Sequence, residues 1–212
     1  MTTWLITGVS SGLGRALADR ALAAGDHVVA TARKAATLAD LAAAYPESAM
    51  IAELDVTDPS SITAAVAGAQ QRFGGIDVLV NNAGYGYTAA VEEGEDDGVA
   101  QLFATNFFGP VALIKAALPG MRRAGTGLII NISSVGARIT IPGGGYYSAA
   151  KAALEGLSGS LRREVEPMGI RVMVVEPGSM RTDFRGRSAE QSSVQIDAYD
   201  EGALSRIQPM PS

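Results

Sequence analysis

The chain has 212 residues, 47% of them hydrophobic and 18% charged, enough for one sizeable domain that buries its own core. A net charge of −5 with no basic stripe excludes nucleic acid and anionic membrane as main partners. The absence of cysteine excludes disulfide and thiol chemistry, and the single histidine, His27, leaves no donor set for a transition metal.

The opening MTTWLITG enters a strand-like run with no leader-type pattern. No apolar run approaches the roughly 18 residues that span a bilayer. The expectation is a soluble, cytoplasmic chain without a membrane partner. Strand-like runs lie at Trp4–Thr7, His27–Thr31, Met50–Leu54, Val78–Asn81, Leu128–Ile132 and Arg171–Val175. Between them, helical stretches fall near Leu13–Ala24, Ala36–Tyr45, Ser60–Phe73, Gly98–Met121 and Ala149–Glu166. Strands that are apolar throughout, such as VLV, LIIN and VMVV, imply burial on both faces. The alternation therefore predicts a doubly wound parallel α/β sheet, Rossmann-like, with at least six strands and helices on both faces. Residues 1–184 read as a single domain. Residues 185–212 are polar and weakly periodic, with a short helix around Ala198–Ile207, and read as a mobile lid over the substrate or a fraying end.

Gly8, Gly12 and Gly14 form a GxxxGxG turn after the first strand, where the first helix opens. Glycine permits close backbone approach and positive φ, and a helix N-terminus offers free N–H groups, so a diphosphate suits the turn. A tight βα turn that merely needs small residues gives the same pattern, but strand, turn and helix in the required order favour the nucleotide. At the end of the second strand Ala32 and Arg33 stand where a dinucleotide fold often carries an acid. An arginine without a carboxylate favours a 2′-phosphate, hence NADP(H) over NAD(H), against a solvated Arg-Lys pair. Asp55 suits an adenine amino group or a helix start, where Thr57 or Asp58 would cap the helix that Pro59 opens. NNAG, Asn81–Gly84, can brace strand ends beside a cofactor, or simply turn.

Tyr147 and Lys151 are spaced i, i+4 and share a helix face. A nearby ammonium favours phenolate, which turns a phenol of pKa near 10 into a usable proton carrier. Tyrosine–lysine packing produces the same spacing. Ser133 and Ser134, at the carboxyl end of the fifth strand, and Asn106, within an apolar helix, raise the chemical reading. Tyr85, Tyr87, Ile141, Pro142 and Phe184 suggest an apolar pocket beside them.

Taken in order from residue 3 to about 184, TGVSSGLG, NNAG, Asn106, NISS, YSAAK and PGSMRT resemble the short-chain dehydrogenase/reductase family, in the type with a TGxxxGxG turn and a YxxxK pair. The resemblance implies hydride transfer between a nicotinamide and a carbonyl or secondary alcohol. Tyr147 is then the acid/base and Ser134 polarises the substrate oxygen. Lys151 lowers the tyrosine pKa and binds ribose, while Asn106 holds a water of the proton relay. Gly8, Ser10, Ser11, Gly12, Leu13 and Gly14 become the diphosphate loop, with Arg33 beside the 2′-position. Asp55 and Val56 contact adenine, Asn82 lies near a ribose, and Met180 and Thr182 contact the nicotinamide amide. Tyr146 matches no catalytic position, and lines the pocket or packs.

The helices near Gly98–Met121 and Ala149–Glu166 resemble those that pair across two-folds in the family, which implies a homodimer or homotetramer. Members commonly add a further helix and a seventh parallel strand, and nothing after Arg185 reads as that strand. The expected substrate is a small, hydrophobic carbonyl or alcohol. A non-catalytic NADP(H) sensor, or epimerisation or dehydration on the same fold, are the competing readings.

Overall fold

The computed structural model describes residues 1–178 and 189–199. The first strand, β1 (Thr3–Ile6), leads through the glycine turn into α1 (Gly12–Ala23), and β2 (His27–Ala32) follows. A 3₁₀ turn at Ala35–Leu38 precedes α2 (Ala39–Ala44), where the sequence suggests one helix over Ala36–Tyr45. Then come β3 (Ala49–Glu53), α3 (Pro59–Phe73), β4 (Val78–Asn81) and a short strand, β5 (Gly86–Thr88). The long predicted helix is two: α4 (Asp96–Phe103) and α5 (Gly109–Ala124), joined by a π turn at Ala104–Phe108. β6 (Gly127–Ile132), α6 (Gly145–Val165) and β7 (Ile170–Val175) complete the main sheet. After Gly178 the described chain resumes at β8 (Ala189–Gln191) and a single turn, α7 (Asp197–Tyr199). The rest of the helix expected to Ile207, with Met180, Thr182 and Phe184, lies outside the described residues.

Six parallel strands pair in the order β3-β2-β1-β4-β6-β7. The order reverses between β1 and β4, which opens a crevice at the carboxyl ends of those strands. Because side chains alternate along a strand, Leu5, Leu79 and Ile129 point to one core with α3, α5 and α6. Ile6, Val78 and Val80 point to the other, with α1 and α2. The helix ends follow from local chemistry. Asp58 caps α3 by accepting from the Ser60 and Ser61 amides, Pro59 takes the first turn, and Gly74 (φ 81°) ends it.

The run Asp96–Ala124 is long and apolar enough by length and composition to cross a membrane, which corrects the expectation that no such run exists. Its buried side chains Leu113, Ile114, Ala117 and Met121 belong to the sheet core instead.

Sequence reading finds no anchor for the tail, yet residues 192–199 are pinned to an acidic turn before α4. β8 pairs in parallel with β5. Glu93 is buried; its Oε2 accepts from the Ala90 amide at 3.1 Å and its Oε1 from the Ile196 amide at 2.8 Å. Ser192 Oγ donates to the Glu93 carbonyl, and Glu95 accepts from the Ser193 amide and hydroxyl. Tyr199 donates its hydroxyl to Glu92.

Removing the Glu93 carboxylate strands two backbone amides, a loss of about 1–3 kcal/mol each where they stay buried. In Glu93→Ala the Ile196 amide should exchange with deuterium about tenfold faster or more, while core amides such as Leu5 and Val29 keep their protection. Equal Ile196 exchange in both proteins would show that the carboxylate does not hold this segment.

Candidate active site

The glycine turn lies at the β1 edge of the crevice, and its shape is set by contacts that a side chain would block. Gly8 (φ 70°) and Gly12 (φ 58°) adopt left-handed backbone. At Gly14 a Cβ would lie 2.4 Å from Asn82 Nδ2 and 2.5 Å from the Gly8 carbonyl oxygen, so only glycine lets α1 start this close to β1. Ser11 is the N-cap residue, but its side chain makes no capping bond. The first amides of α1 are thus open to an anion beside exposed Ser10 and Gly12, with Leu13 half-buried in the first turn.

Asn82 is a brace. Its Nδ2 donates to the Thr7 carbonyl (2.8 Å) and the Gly8 carbonyl (3.1 Å), tying the end of β4 to the turn. The missed partner is Thr7, whose buried Oγ1 accepts from the Asn82 and Ala83 amides at 2.9 Å and donates to the Val80 carbonyl. Threonine at a strand end carries no sequence signal for that task.

Arg33 follows β2 directly and is exposed. Its charge bears on the Tyr85 phenol, which burial, the largest influence, and Glu190 together push up to about 12. Asp55 Oδ1 accepts from the Thr57 amide (2.9 Å) and hydroxyl (2.7 Å), so Asp55 shapes its own turn while Asp58 does the capping. Val56 is buried against Gly109, where a Cβ would come within 2.9 Å of its side chain and its carbonyl oxygen alike.

Four catalytic candidates converge at the other edge. α6 begins at Gly145, four residues earlier than expected, so Tyr146, Tyr147 and Lys151 all sit on helix. Ser134 follows β6 and starts a 3₁₀ turn, where its Oγ accepts from the Gly136 amide at 3.0 Å. Ser134 Oγ and the Tyr147 ring flank Gly136, where a Cβ would stand 3.3 Å from the hydroxyl and 3.4 Å from Tyr147 Cε1. Lys151 is buried, donates to the Ile132 carbonyl at 2.8 Å, and lies 5.9 Å from the centre of the Tyr147 ring. Asn106, fully buried in the π turn, accepts from the Tyr85 amide (3.1 Å) and donates to the Tyr85 carbonyl (2.8 Å). Its carboxamide is thereby committed to backbone, where the family resemblance assigns it a water. A Cβ on Gly84 would sit 3.0 Å from Asn106 Oδ1 and 3.5 Å from Lys151 Nζ, which places these groups together.

Burial, the larger influence, raises the Tyr147 phenol above its ordinary value, and the Ser134 hydrogen bond works against it. Complete burial pushes Lys151 down to about 8. Tyr146 and Tyr87 leave the pocket proposed from sequence. Tyr146 donates to the Val91 carbonyl at 2.7 Å, and its ring fills the space that a Cβ on Gly94 would need. Tyr87 is buried with Ala89 and Leu102 and accepts from the Glu95 amide. Ile141 and Pro142 remain exposed beside the crevice.

Comparison with known proteins follows the same lines. A family model described as short chain dehydrogenase matches residues 2–193. "Oxidoreductase BOA17" of Botryotinia fuckeliana is 44% identical over 192 residues, 90% of this chain and 70% of that protein. "3-Ketodihydrosphingosine reductase" of Bacteroides thetaiotaomicron is 39% identical, over 94% of this chain and 72% of that protein. The chain spans between 59% and 72% of the lengths of the curated relatives named here and their fission-yeast counterparts. Among solved structures, a short-chain dehydrogenase from Streptomyces avermitilis superposes with a TM-score of 0.91 at 46% identity, covering 97% of this chain and 77% of that one. ElxO with NADP bound gives 0.81 at 30% identity, covering 86% and 75%. A 3-ketoacyl-(acyl-carrier-protein) reductase from Brucella melitensis with NADH gives 0.83 at 29%, covering 86% and 78%.

The lowered pKa of Lys151 sets a sign for stability. Between about 8 and its ordinary 10.5 the unfolded chain binds a proton that the folded chain has released, so this residue's contribution to stability rises with pH across that window. Relative to Lys151→Met, the parent should gain up to about 3 kcal/mol there, read from urea unfolding at a series of pH values. A constant difference across the window would show a solvated ammonium.

Proposed function

Because the chain belongs to the short-chain dehydrogenase/reductase family of oxidoreductases, we propose that it is an NADP(H)-dependent enzyme interconverting a carbonyl and a secondary alcohol, with Tyr147 as acid/base. The observation that carries this reading is the convergence of Ser134, Tyr147 and Lys151 at the crevice that the glycine turn also borders.

The residues present fit a dinucleotide. The left-handed glycines, the close start of α1 and its uncapped amides form a cradle for diphosphate. Arg33, exposed at the end of β2 with no acid at Ala32, supports a 2′-phosphate and so NADP(H) over NAD(H). Asp55 and the Val56 backbone would border adenine, and Lys151 would reach ribose hydroxyls. The cofactor, when bound, supplies or accepts the hydride.

The chain's own residues handle the oxygen. Ser134 donates a hydrogen bond to the substrate carbonyl, which gathers negative charge as the carbon is reduced. Tyr147 delivers the proton that completes the alcohol, and takes it back in oxidation. Asn106 fixes the Tyr85 backbone beneath this site.

An apolar rim supports a hydrophobic substrate: Val91 is 74% exposed and Ile139 64%, with Ile141 beside them. One relative is named for a ketone of a long-chain base, and a ketone with an apolar tail is the class we propose. Assembly as a homodimer or homotetramer and a cytoplasmic setting complete the reading.

The test mixes the purified protein with NADPH, then NADH, and a panel of ketones from acetone to 2-dodecanone, following loss of reduced-nicotinamide absorbance. Turnover should favour NADPH and the longer ketones. Tyr147→Phe should lower the rate on the order of 10²–10⁴-fold while NADPH still binds, and Arg33→Ala should erode the preference for NADPH. Tight NADPH binding with no turnover across the panel would point instead to a sensor.

A further inference from the structure

Glu155 lies on α6, four residues beyond Lys151 and eight beyond Tyr147, so the three side chains share one side of the helix. Its side chain is only 11% exposed, and each carboxylate oxygen has its own donor. Ser133 Oγ donates to Oε1 over 2.6 Å, and Arg138 Nη2 meets Oε2 at 2.8 Å. These two donors bracket Ser134 in the chain. From these contacts we infer that Glu155 is a positioning residue, holding Ser134 against Tyr147; the inference rests on the reductase reading above.

The turn between the two donors has little play. The Ser133 amide donates to the Val175 carbonyl at 2.7 Å and the Val135 amide to the Pro177 carbonyl at 3.2 Å. Ser134 accepts from Gly136, where a Cβ would stand 3.3 Å from Ser134 Oγ and 3.4 Å from Tyr147 Cε1. Arg138 also pairs with Glu176 at 3.0 Å, across to the end of β7. Arg138 is 63% exposed, so its ion pairs contribute little by themselves. The stronger bond is the covered one, from a neutral hydroxyl to a carboxylate. Its effect is geometric: one carboxylate fastens the serine turn to the helix that carries the tyrosine. A misplacement of about 1 Å between reacting groups costs on the order of 10²-fold in rate.

Two readouts test this, one of them independent of turnover. With carbon-13-labelled tyrosine and no cofactor, the Tyr147 resonance is assigned by its loss in Tyr147→Phe and titrated by NMR. In Glu155→Leu the Tyr147 titration should move up by about half to one pH unit, because the Ser134 bond that holds it down is loosened. With NADPH and 2-dodecanone, Glu155→Leu should lower kcat tenfold or more with KM for NADPH unchanged within twofold, and Glu155→Gln should restore part of the loss. In a Ser134→Ala background the same Glu155→Leu change should add almost nothing, since its effect passes through that serine. Arg138→Met, at an exposed position, gives a smaller shift in the same direction if Glu155→Leu does not fold. An unmoved Tyr147 titration in the folded variants, or an equal loss of kcat with and without Ser134, would overturn the role. Absence of turnover by the parent would sink the reductase reading alone, and the titration would still decide whether Glu155 positions the pair.

Discussion

The two halves of the site are held in register by a buried hydrogen-bonded chain. Asn81 Nδ2 donates to Asn131 Oδ1 at 2.8 Å across the β4–β6 pair, where the two asparagines stand opposite each other. Asn131 Nδ2 donates to Ser158 Oγ, also at 2.8 Å, and Ser158 donates to the Leu154 carbonyl on α6. All three side chains are buried, where a satisfied bond is strong and an unpaired group is costly. Asn81 adjoins Asn82, which ties the glycine turn; Asn131 is two residues before Ser133, and Ser158 one turn from Leu154 on the tyrosine helix. The glycine turn, proposed as the diphosphate cradle, and the groups proposed to handle the proton are thus connected through one polar seam.

From that seam outward, the strands were legible because each is a mostly apolar run, and the observed six agree with the expected ones to within a residue or two at most ends. β1, β2 and β4 are buried on both faces as expected, whereas the edge strand β7 exposes Met173, so VMVV is covered on one face only. Gly8, Gly14 and Ser134 were legible as ordered motifs that follow strand ends, and Tyr147 and Lys151 as an i, i+4 pair on a helix. What escaped has a physical reason in each case. The π turn at Ala104–Phe108 adds no residue type that pattern reading detects; Asn106 marks the spot only because an amide is out of place among apolar neighbours. β5 and β8 are three residues each and pair with one another at a distance of 103 positions, so neither carries periodicity. Glu93, in an acidic VEEGE run, reads as a solvated charge, yet it is buried because two backbone amides satisfy it. Glu155 likewise reads as one more helix carboxylate until Ser133 and Arg138 fold back upon it.

Tyr146 shows how the second, smaller sheet is joined to the first. Its hydroxyl holds the Val91 carbonyl, its ring meets Tyr87 edge-on at 6.2 Å, and Gly94 leaves it room. Val91 to Glu95 is the turn that grips residues 192–199. A chain of direct contacts therefore runs from that segment, through the acidic turn and Tyr146, to the residue beside Tyr147. The segment thus has a contact route to the start of α6.

The electrostatics of Tyr147, the proposed proton carrier, divide between what the fold supplies and what a ligand would add. Burial alone makes the Tyr147 phenol a weaker acid, the opposite of what catalysis at neutral pH requires. Ser134 offsets part of this with a hydrogen bond. Lys151 adds little in this arrangement, because its ammonium is turned to the Ile132 carbonyl and is itself disfavoured by burial. A protonated Lys151 gains stability from any hydroxyl or anionic group that enters beside it, and a charged lysine next to the phenol favours phenolate. Filling the crevice would then move both groups the useful way at once: the lysine toward its charged form and the tyrosine toward a lower pKa. On that argument the tuning of the proposed acid/base is completed by a ligand that the glycine turn and Lys151 share.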